Sequence, residues 1–233
     1  MLTTLCFDAD DTLWHNERFF QMTQAHFATL LADYMESDDL ADRLLAAEKR
    51  NLGRYGFGIK GFVLSMIETA LDVTDRQVPG HVIAEIIAAG HDMLAHPIDL
   101  LPGVADTLAK LAPKYRLIVI TKGDLLDQER KIAQSGLGEV FDGVEIVSDK
   151  TRDAYIDIFA RHETSPATTL MAGNSMKSDV LPAIEAGAWG VYIPHGVNWK
   201  IEAADPPDDQ EKYREAREFT ELPKIIAAIE HSM

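Results

Sequence analysis

The chain opens with a short apolar run, Leu5-Cys6-Phe7, that stops abruptly in three acids, Asp8, Asp10 and Asp11. A continuous hydrophobic run reads as a strand of a parallel sheet buried on both faces. From residue 15 to 97 the apolar positions recur at helical spacing instead. Phe20, Phe27, Leu30, Leu31 and Tyr34 mark one helix face, and Leu40, Leu44 and Leu45 mark a second behind the cap candidates Ser37-Asp38-Asp39. Gly53, Gly56, Gly58 and Gly61 break the pattern. It resumes over Phe62 to Leu71, and again from Gly80 to Ala95, where Pro97 stops it. Four helices without a strand predict a small helical bundle inserted after the first strand.

From Leu100 the rhythm alternates. Pro102-Gly103 opens a helix carrying Val104, Leu108 and Leu111 on one face, and Leu117 to Ile120 forms a β-branched run ending at Thr121. A helix capped by Asp124 and closed by Gly136 follows, then strands at Val144 to Val147, Thr169 to Ala172 and Gly190 to Ile193. Helices over Asp153 to Arg161 and Ser178 to Ala186 separate these strands. Such alternation predicts right-handed βαβ units, hence a parallel sheet covered on both sides. Asp205 to Glu215, with Pro206-Pro207, reads as a solvated loop before a last helix from Leu222 to Ile229. The expected organisation is an α/β core of residues 1–14 and 98–233, with residues 15–97 as the helical insert.

Composition narrows the function classes. With 233 residues the chain can bury a sizeable core, and its net charge of −16 argues against a nucleic-acid surface. No apolar run reaches the roughly 18–20 residues of a membrane span. No basic leader with a cleavage pattern precedes the first strand. The one cysteine, Cys6, lies in the first apolar run and cannot form an internal disulfide, so a cytoplasmic protein is expected.

Candidate chemistry sits where the strands end, the place at which ligands bind in such folds. Asp8 and Asp10, two residues apart on extended chain, can point the same way and invite a divalent cation or a shared proton; a polar turn capping the next helix is the competing reading. Thr121-Lys122-Gly123 offers a hydroxyl and approachable backbone N–H groups to a phosphate, or is a routine strand-to-helix turn. Lys150 could neutralise a transferring phosphoryl group, or lie solvated near a helix start. Asn174 and Asp179 carry oxygens suited to a hard cation such as Mg²⁺; a helix capped by Ser178, with Asp179 near its N-terminus, is the competing reading.

Taken together, Asp8-Ala9-Asp10-Asp11-Thr12-Leu13, Leu117 to Thr121, Lys150, and Gly173-Asn174 with Asp179 resemble the four ordered motifs of the haloacid dehalogenase superfamily of hydrolases. The resemblance covers the whole chain and implies a Rossmann-like core with residues 15–97 as its helical cap. It implies Asp8 as nucleophile, Asp10 as general acid and base, and Mg²⁺ held by Asp8, the Asp10 backbone carbonyl, Asp179 and Asn174. It further implies phosphoryl oxygens bound by Thr121, Lys150 and the amides of Lys122 and Gly123. Members that cleave carbon–halogen bonds lack the second acid of the first motif, so Asp10 favours phosphate chemistry. Asn174 stands where the family usually has an acid, which predicts weaker metal binding.

In the insert, Asn51 to Gly61 is the candidate substrate loop, with Lys60 or Arg54 for an anionic group and Tyr55 or Phe57 for an apolar one. A helix–helix connection without substrate contact is the alternative. The expected function is a Mg²⁺-dependent phosphomonoesterase acting on a small phosphorylated metabolite, as a monomer or homodimer. A phosphomutase using the same acids, or a non-catalytic phospho-ligand binding protein, remains open.

Overall fold

The computed structural model describes residues 1–196 and 199–233. The chain falls into two compact units, Met1–Glu17 with Ile98–Met233, and Arg18–Pro97. The first unit is built on a six-stranded sheet in the order β3-β2-β1-β4-β5-β6. Its strands are β1 (Thr4–Phe7), β2 (Arg116–Lys122), β3 (Gly143–Val147), β4 (Thr169–Gly173), β5 (Trp189–Tyr192) and β6 (Tyr213–Glu215), and every pairing is parallel. Register places Phe7 opposite both Val119 and Ala172.

Alternating side chains of the central strands feed two cores, which is why their sequence reads as unbroken hydrophobic runs. Leu5, Phe7, Leu117, Val119, Leu170 and Ala172 face one side. There they meet Val104, Leu108 and Leu111 of α5 (Val104–Leu111) and Leu222, Ile226 and Ile229 of α9 (Leu222–Ser232). Cys6, Ile118, Ile120 and Met171 face the other, against Tyr155, Ile158 and Phe159 of α7 (Arg152–Arg161). Cys6 is fully buried and its thiol is pushed far above the ordinary range by desolvation, so it behaves as a small apolar residue.

The second unit holds α1 (Glu17–Leu30, whose first residue belongs to the sheet unit), α2 (Ser37–Tyr55), α3 (Ile59–Val73) and α4 (Gly80–Ala95). Its own core gathers Phe27, Leu31, Leu40, Leu44, Phe62, Met66 and Ile86. No helix of the described residues is long and apolar enough to cross a membrane.

Several expectations need correcting. Tyr34 follows the end of α1 in a turn and is 45% exposed, so it is not part of that helix face. Gly53 and Gly61 lie inside α2 and α3; the break between the helices falls at Gly56 and Gly58, whose φ values of 72° and 116° are left-handed. Residues 15–17 belong with the sheet unit: His15 N donates to Asp99 O at 3.0 Å, and the amides of Asn16 and Glu17 donate to the Asp11 carboxylate. The polar stretch 205–215 ends in strand β6, whose Tyr213 is buried at the sheet edge. The helix expected from Ser178 begins at Met176 as a π-helical turn, Met176–Val180, and continues as α8 (Leu181–Glu185).

Candidate active site

The side chains singled out in the core cluster at the carboxyl ends of neighbouring parallel strands, the edge at which open α/β sheets bind ligands. Asp8 directly follows β1, Thr121 lies near the end of β2, Lys150 follows β3, and Asn174 and Asp179 follow β4. After β1 the chain turns sharply. Leu13 N returns to Ala9 O at 2.8 Å, and Asp11 adopts φ 61°, a left-handed conformation that Asp tolerates better than most residues. This turn presents Asp8 and Asp10 to different partners.

Asp8 and Asp179 share one ammonium. Lys150 Nζ lies 2.5 Å from Asp8 Oδ1 and 2.7 Å from Asp179 Oδ1, with all three residues buried. The second oxygens are also held: Thr12 Oγ1 donates to Asp8 Oδ2 at 2.9 Å, and Ser175 N donates to Asp179 Oδ2 at 2.9 Å. Two buried carboxylates against one ammonium leave an uncompensated negative charge. Desolvation and the neighbouring Asp179 accordingly raise the Asp8 carboxyl to about 7, although Lys150 opposes the shift. Lys150 itself stays protonated, because the two carboxylates outweigh the cost of burying its charge. The cradle is tight enough to need glycine at residue 173, where any β-carbon would overlap the Asp179 side chain.

The Asn174 amide lies over the same acids. In the orientation that satisfies its neighbours, its nitrogen donates to Asp8 Oδ2 at 3.1 Å, Asp10 O at 3.2 Å and Thr12 Oγ1 at 3.2 Å. Two of those acceptors are oxygens that the resemblance assigns to Mg²⁺. Asp8, Asp179 and the Asp10 carbonyl fit a hard cation: they are all oxygen, they carry excess negative charge and they keep lone pairs beyond their present hydrogen bonds, while Asn174 would join them by presenting its amide oxygen instead of its nitrogen. Asp11, His15 and His195 also bring a carboxylate oxygen and ring nitrogens within 4.8 Å of one another. The Asp11 carboxylate, however, accepts the Asn16 and Glu17 amides at 2.8 and 2.9 Å, which gives it a structural role at the start of α1.

Asp10 is held by a second set of donors. The Trp14 indole Nε1 donates to Oδ1 at 2.7 Å, and Gln128 Nε2 donates to Oδ2 at 2.9 Å. Lys131 Nζ lies 3.0 Å from both carboxylate oxygens. Burial pushes the Asp10 carboxyl up, but the Lys131 charge and these hydrogen bonds outweigh it and hold the group below the usual carboxylate range. Gln128 and Lys131 both come from α6 (Leu125–Gln134), the helix Asp124 caps by accepting from Asp127 N. Nothing in the sequence marked them, because a lysine on a short helix is ordinarily solvated.

The Lys122 side chain is directed to protein partners: Nζ lies 2.7 Å from Ser178 Oγ and 2.6 Å from Glu202 Oε1. Glu202 in turn accepts from Ser175 Oγ at 2.6 Å and Ser178 Oγ at 2.5 Å. Burial raises the Glu202 carboxyl, yet Lys122 and the serine hydroxyls bring it below its ordinary value. Glu202 is a further residue at this site that the sequence did not single out. Gly123, at φ 139°, directs its amide towards Val147 O over a long 3.4 Å. Thr121 is buried, opposite Ile146 in the β2–β3 register.

In the helical unit, Tyr55 closes α2 exposed to solvent and donates its hydroxyl to Glu68 Oε1 at 2.9 Å, while Lys60 is exposed in the first turn of α3.

A parallel α/β core with acids and a lysine at its strand ends, interrupted by a helical unit, defines a class of hydrolase. The comparisons give the family: a family model described as haloacid dehalogenase-like hydrolase matches residues 2–187, and the chain belongs to that family. It is similar to a haloacid dehalogenase-like family hydrolase from Xanthomonas campestris at 36% identity and TM-score 0.89, covering 99% of this chain and 93% of that one. More distant structures share the fold. A predicted phosphoglycolate phosphatase from Haemophilus somnus aligns at 17% identity and TM-score 0.66, over 97% of this chain and 98% of that one. L-2-haloacid dehalogenase from Xanthobacter autotrophicus aligns at 17% identity and TM-score 0.67, over 98% and 100% of the two chains. No curated protein sequence matches the chain.

Proposed function

We propose that the protein is a Mg²⁺-dependent phosphomonoester hydrolase acting on a small, soluble phosphorylated metabolite. The observation that carries this reading is the pairing of Asp8 with Lys150 and Asp179 beside a second acid, Asp10, two residues further along. Asp8 attacks phosphorus in line with the leaving alkoxide, and a phosphorus–oxygen bond to Asp8 replaces the one to the alcohol. Lys131 and its neighbours hold Asp10 as a carboxylate in this state, so it takes up a proton from solvent before giving that proton to the departing oxygen. As a carboxylate it then takes a proton from the water that cleaves the aspartyl-phosphate. Water attack returns Asp8 and releases inorganic phosphate, so both half-reactions balance.

Lys150 keeps its charge beside Asp8 and stabilises the negative phosphoryl oxygens, while Thr121 and the backbone of Lys122 and Gly123 provide hydrogen bonds. The Lys122 side chain, committed to Glu202 and Ser178, holds the loop that follows β4 rather than the substrate. Asp8, the Asp10 carbonyl and Asp179, with Asn174 turning its amide oxygen towards them, would hold Mg²⁺, which when bound would supply positive charge to the transferring group. Lys60 and Tyr55 are the proposed substrate contacts of the helical unit.

The neighbouring fold of a 2-haloacid dehalogenase makes halide release the competing activity. The deciding experiment measures phosphate release from p-nitrophenyl phosphate with Mg²⁺ and with chelator, for the wild type and Asp8→Asn, alongside halide release from 2-chloropropionate. Metal-dependent phosphate release that disappears in Asp8→Asn supports the phosphatase. Halide release without phosphate release, or phosphate release indifferent to Asp8, overturns it.

A further inference from the structure

Asp10 is held by more than its own turn. Lys131 and Gln128 are three residues apart on α6 and so point from the same helix face. Both are buried, at 6% and 3% exposure, an unusual setting for a lysine that has to be compensated. Lys131 meets that need by lying 3.0 Å from each Asp10 oxygen, 2.9 Å from Asn16 Oδ1 and 3.6 Å from Asp127 Oδ2. Gln128 Nε2 bridges Asp10 Oδ2 and the Lys122 carbonyl, both at 2.9 Å. It thereby ties the first-strand acid to the end of β2. Gln128 Oε1 is buried without a hydrogen-bond partner among the described residues. An amide oriented against its own acceptor in this way is fixed by what its nitrogen holds.

We propose that Lys131, assisted by Gln128, is a positioning residue for the acid–base carboxylate: α6 fixes the direction in which Asp10 is presented to the leaving group. This rests on the phosphatase reading, since it assigns Asp10 a task, but the anchor itself is a structural relationship that can be read without turnover. The Trp14 indole donates to Asp10 Oδ1 at 2.7 Å, so it reports the carboxylate's position. Lys131 and Trp14 meet at the same carboxylate oxygen, Asp10 Oδ1, and Asn16→Ala, which removes the other contact of Lys131 near Trp14, serves as the control.

The test uses Lys131→Met, Lys131→Arg and Gln128→Leu in the full chain. The first readout is the ¹⁵N–¹H resonance of the Trp14 indole, assigned with Trp14→Phe. It is expected to shift in Lys131→Met and to return towards the wild-type position in Lys131→Arg; an unmoved resonance in Lys131→Met overturns the anchor. The second readout compares phenyl phosphate with p-nitrophenyl phosphate, whose better leaving group depends less on a proton donor. Lys131→Met is expected to lower kcat for phenyl phosphate by about 10²-fold, on the scale of general acid catalysis, with a smaller loss for p-nitrophenyl phosphate and KM nearly unchanged. An equal loss on both substrates, or a loss confined to KM, overturns the positioning role. A wild type that hydrolyses neither ester removes the phosphatase reading and with it Asp10's task, while the indole resonance still decides the anchor.

Discussion

Gly173 and Asp179 are packed so closely that a β-carbon on residue 173 would overlap the carboxylate, the γ-carbon and the β-carbon of the aspartate. The overlap falls on a side chain pinned by Lys150 and by the Ser175 amide, which leaves it no room to retreat. Gly173→Ala is therefore expected to displace Asp179 from Lys150. Misplacement on this scale costs about 10²-fold in kcat/KM. Kinetics with p-nitrophenyl phosphate at several Mg²⁺ concentrations check this, with the loss expected to persist at saturating metal.

Lys150 is the sole cation in contact with both Asp8 and Asp179 among the described ion pairs. Removing one partner of a buried ion pair leaves an uncompensated charge and costs about 3–5 kcal/mol. Lys150→Met is expected to lose that much stability in urea unfolding without metal. Asp8→Asn in the same background should recover part of the loss, because one of the stranded charges is gone.

The raised Asp8 carboxyl makes the metal-free protein sensitive to pH. Its folded-state value is about 7 against an ordinary 3.8, so between these limits the folded state binds more protons than the unfolded one. Stability contributed by this group is therefore present at the low end and falls as pH rises through the window. A shift of that size corresponds to a few kcal/mol at about 1.4 per pH unit. Thermal unfolding in chelator is expected to show Asp8→Asn more stable than wild type at pH 8, with the two converging towards pH 4.

At Asn174 the expected effect is on metal affinity. The amide nitrogen now donates to Asp8 Oδ2 and the Asp10 carbonyl, whereas an acid would add charge to the same oxygens. Asn174→Asp should tighten Mg²⁺ binding by about an order of magnitude, as ligand charge count does in carboxylate sites. It should also lower the Tm of the metal-free protein. Calorimetric titration and unfolding in chelator measure the two effects; unchanged affinity would count against Asn174 standing at the metal.

The strand ends were legible because burial on two faces writes itself into sequence. Cys6 and Ile118 on one side, and Phe7 and Val119 on the other, leave no polar position in either run. Asp8 could be singled out for the same reason, as an acid directly after such a run, whereas Lys150 follows β3, which carries Glu145, and Asp179 lies on the turn beyond β4, so these two stood out only as members of the ordered motif set. Strand β6 was hidden because only Tyr213 of its three residues is buried, and three positions carry too little pattern to separate from a loop. Lys131 and Gln128 were hidden for a different reason. Their partner, Asp10, lies more than a hundred residues away in sequence, and periodicity on α6 records which face is covered but not what covers it. Glu202 is likewise joined to Lys122 only by the fold.

The chain leaves the sheet unit and returns to it along adjacent paths: Trp14 bridges Leu100 in antiparallel fashion, Leu101 N donates to Leu13 O at 2.9 Å, and His15 N donates to Asp99 O. The sheet unit therefore closes the long excursion through residues 18–97 with its own hydrogen bonds. Lengthening such a loop adds little to its closure entropy, which grows only logarithmically. The helical unit can accordingly change in sequence and length while the acids at the strand ends keep their places.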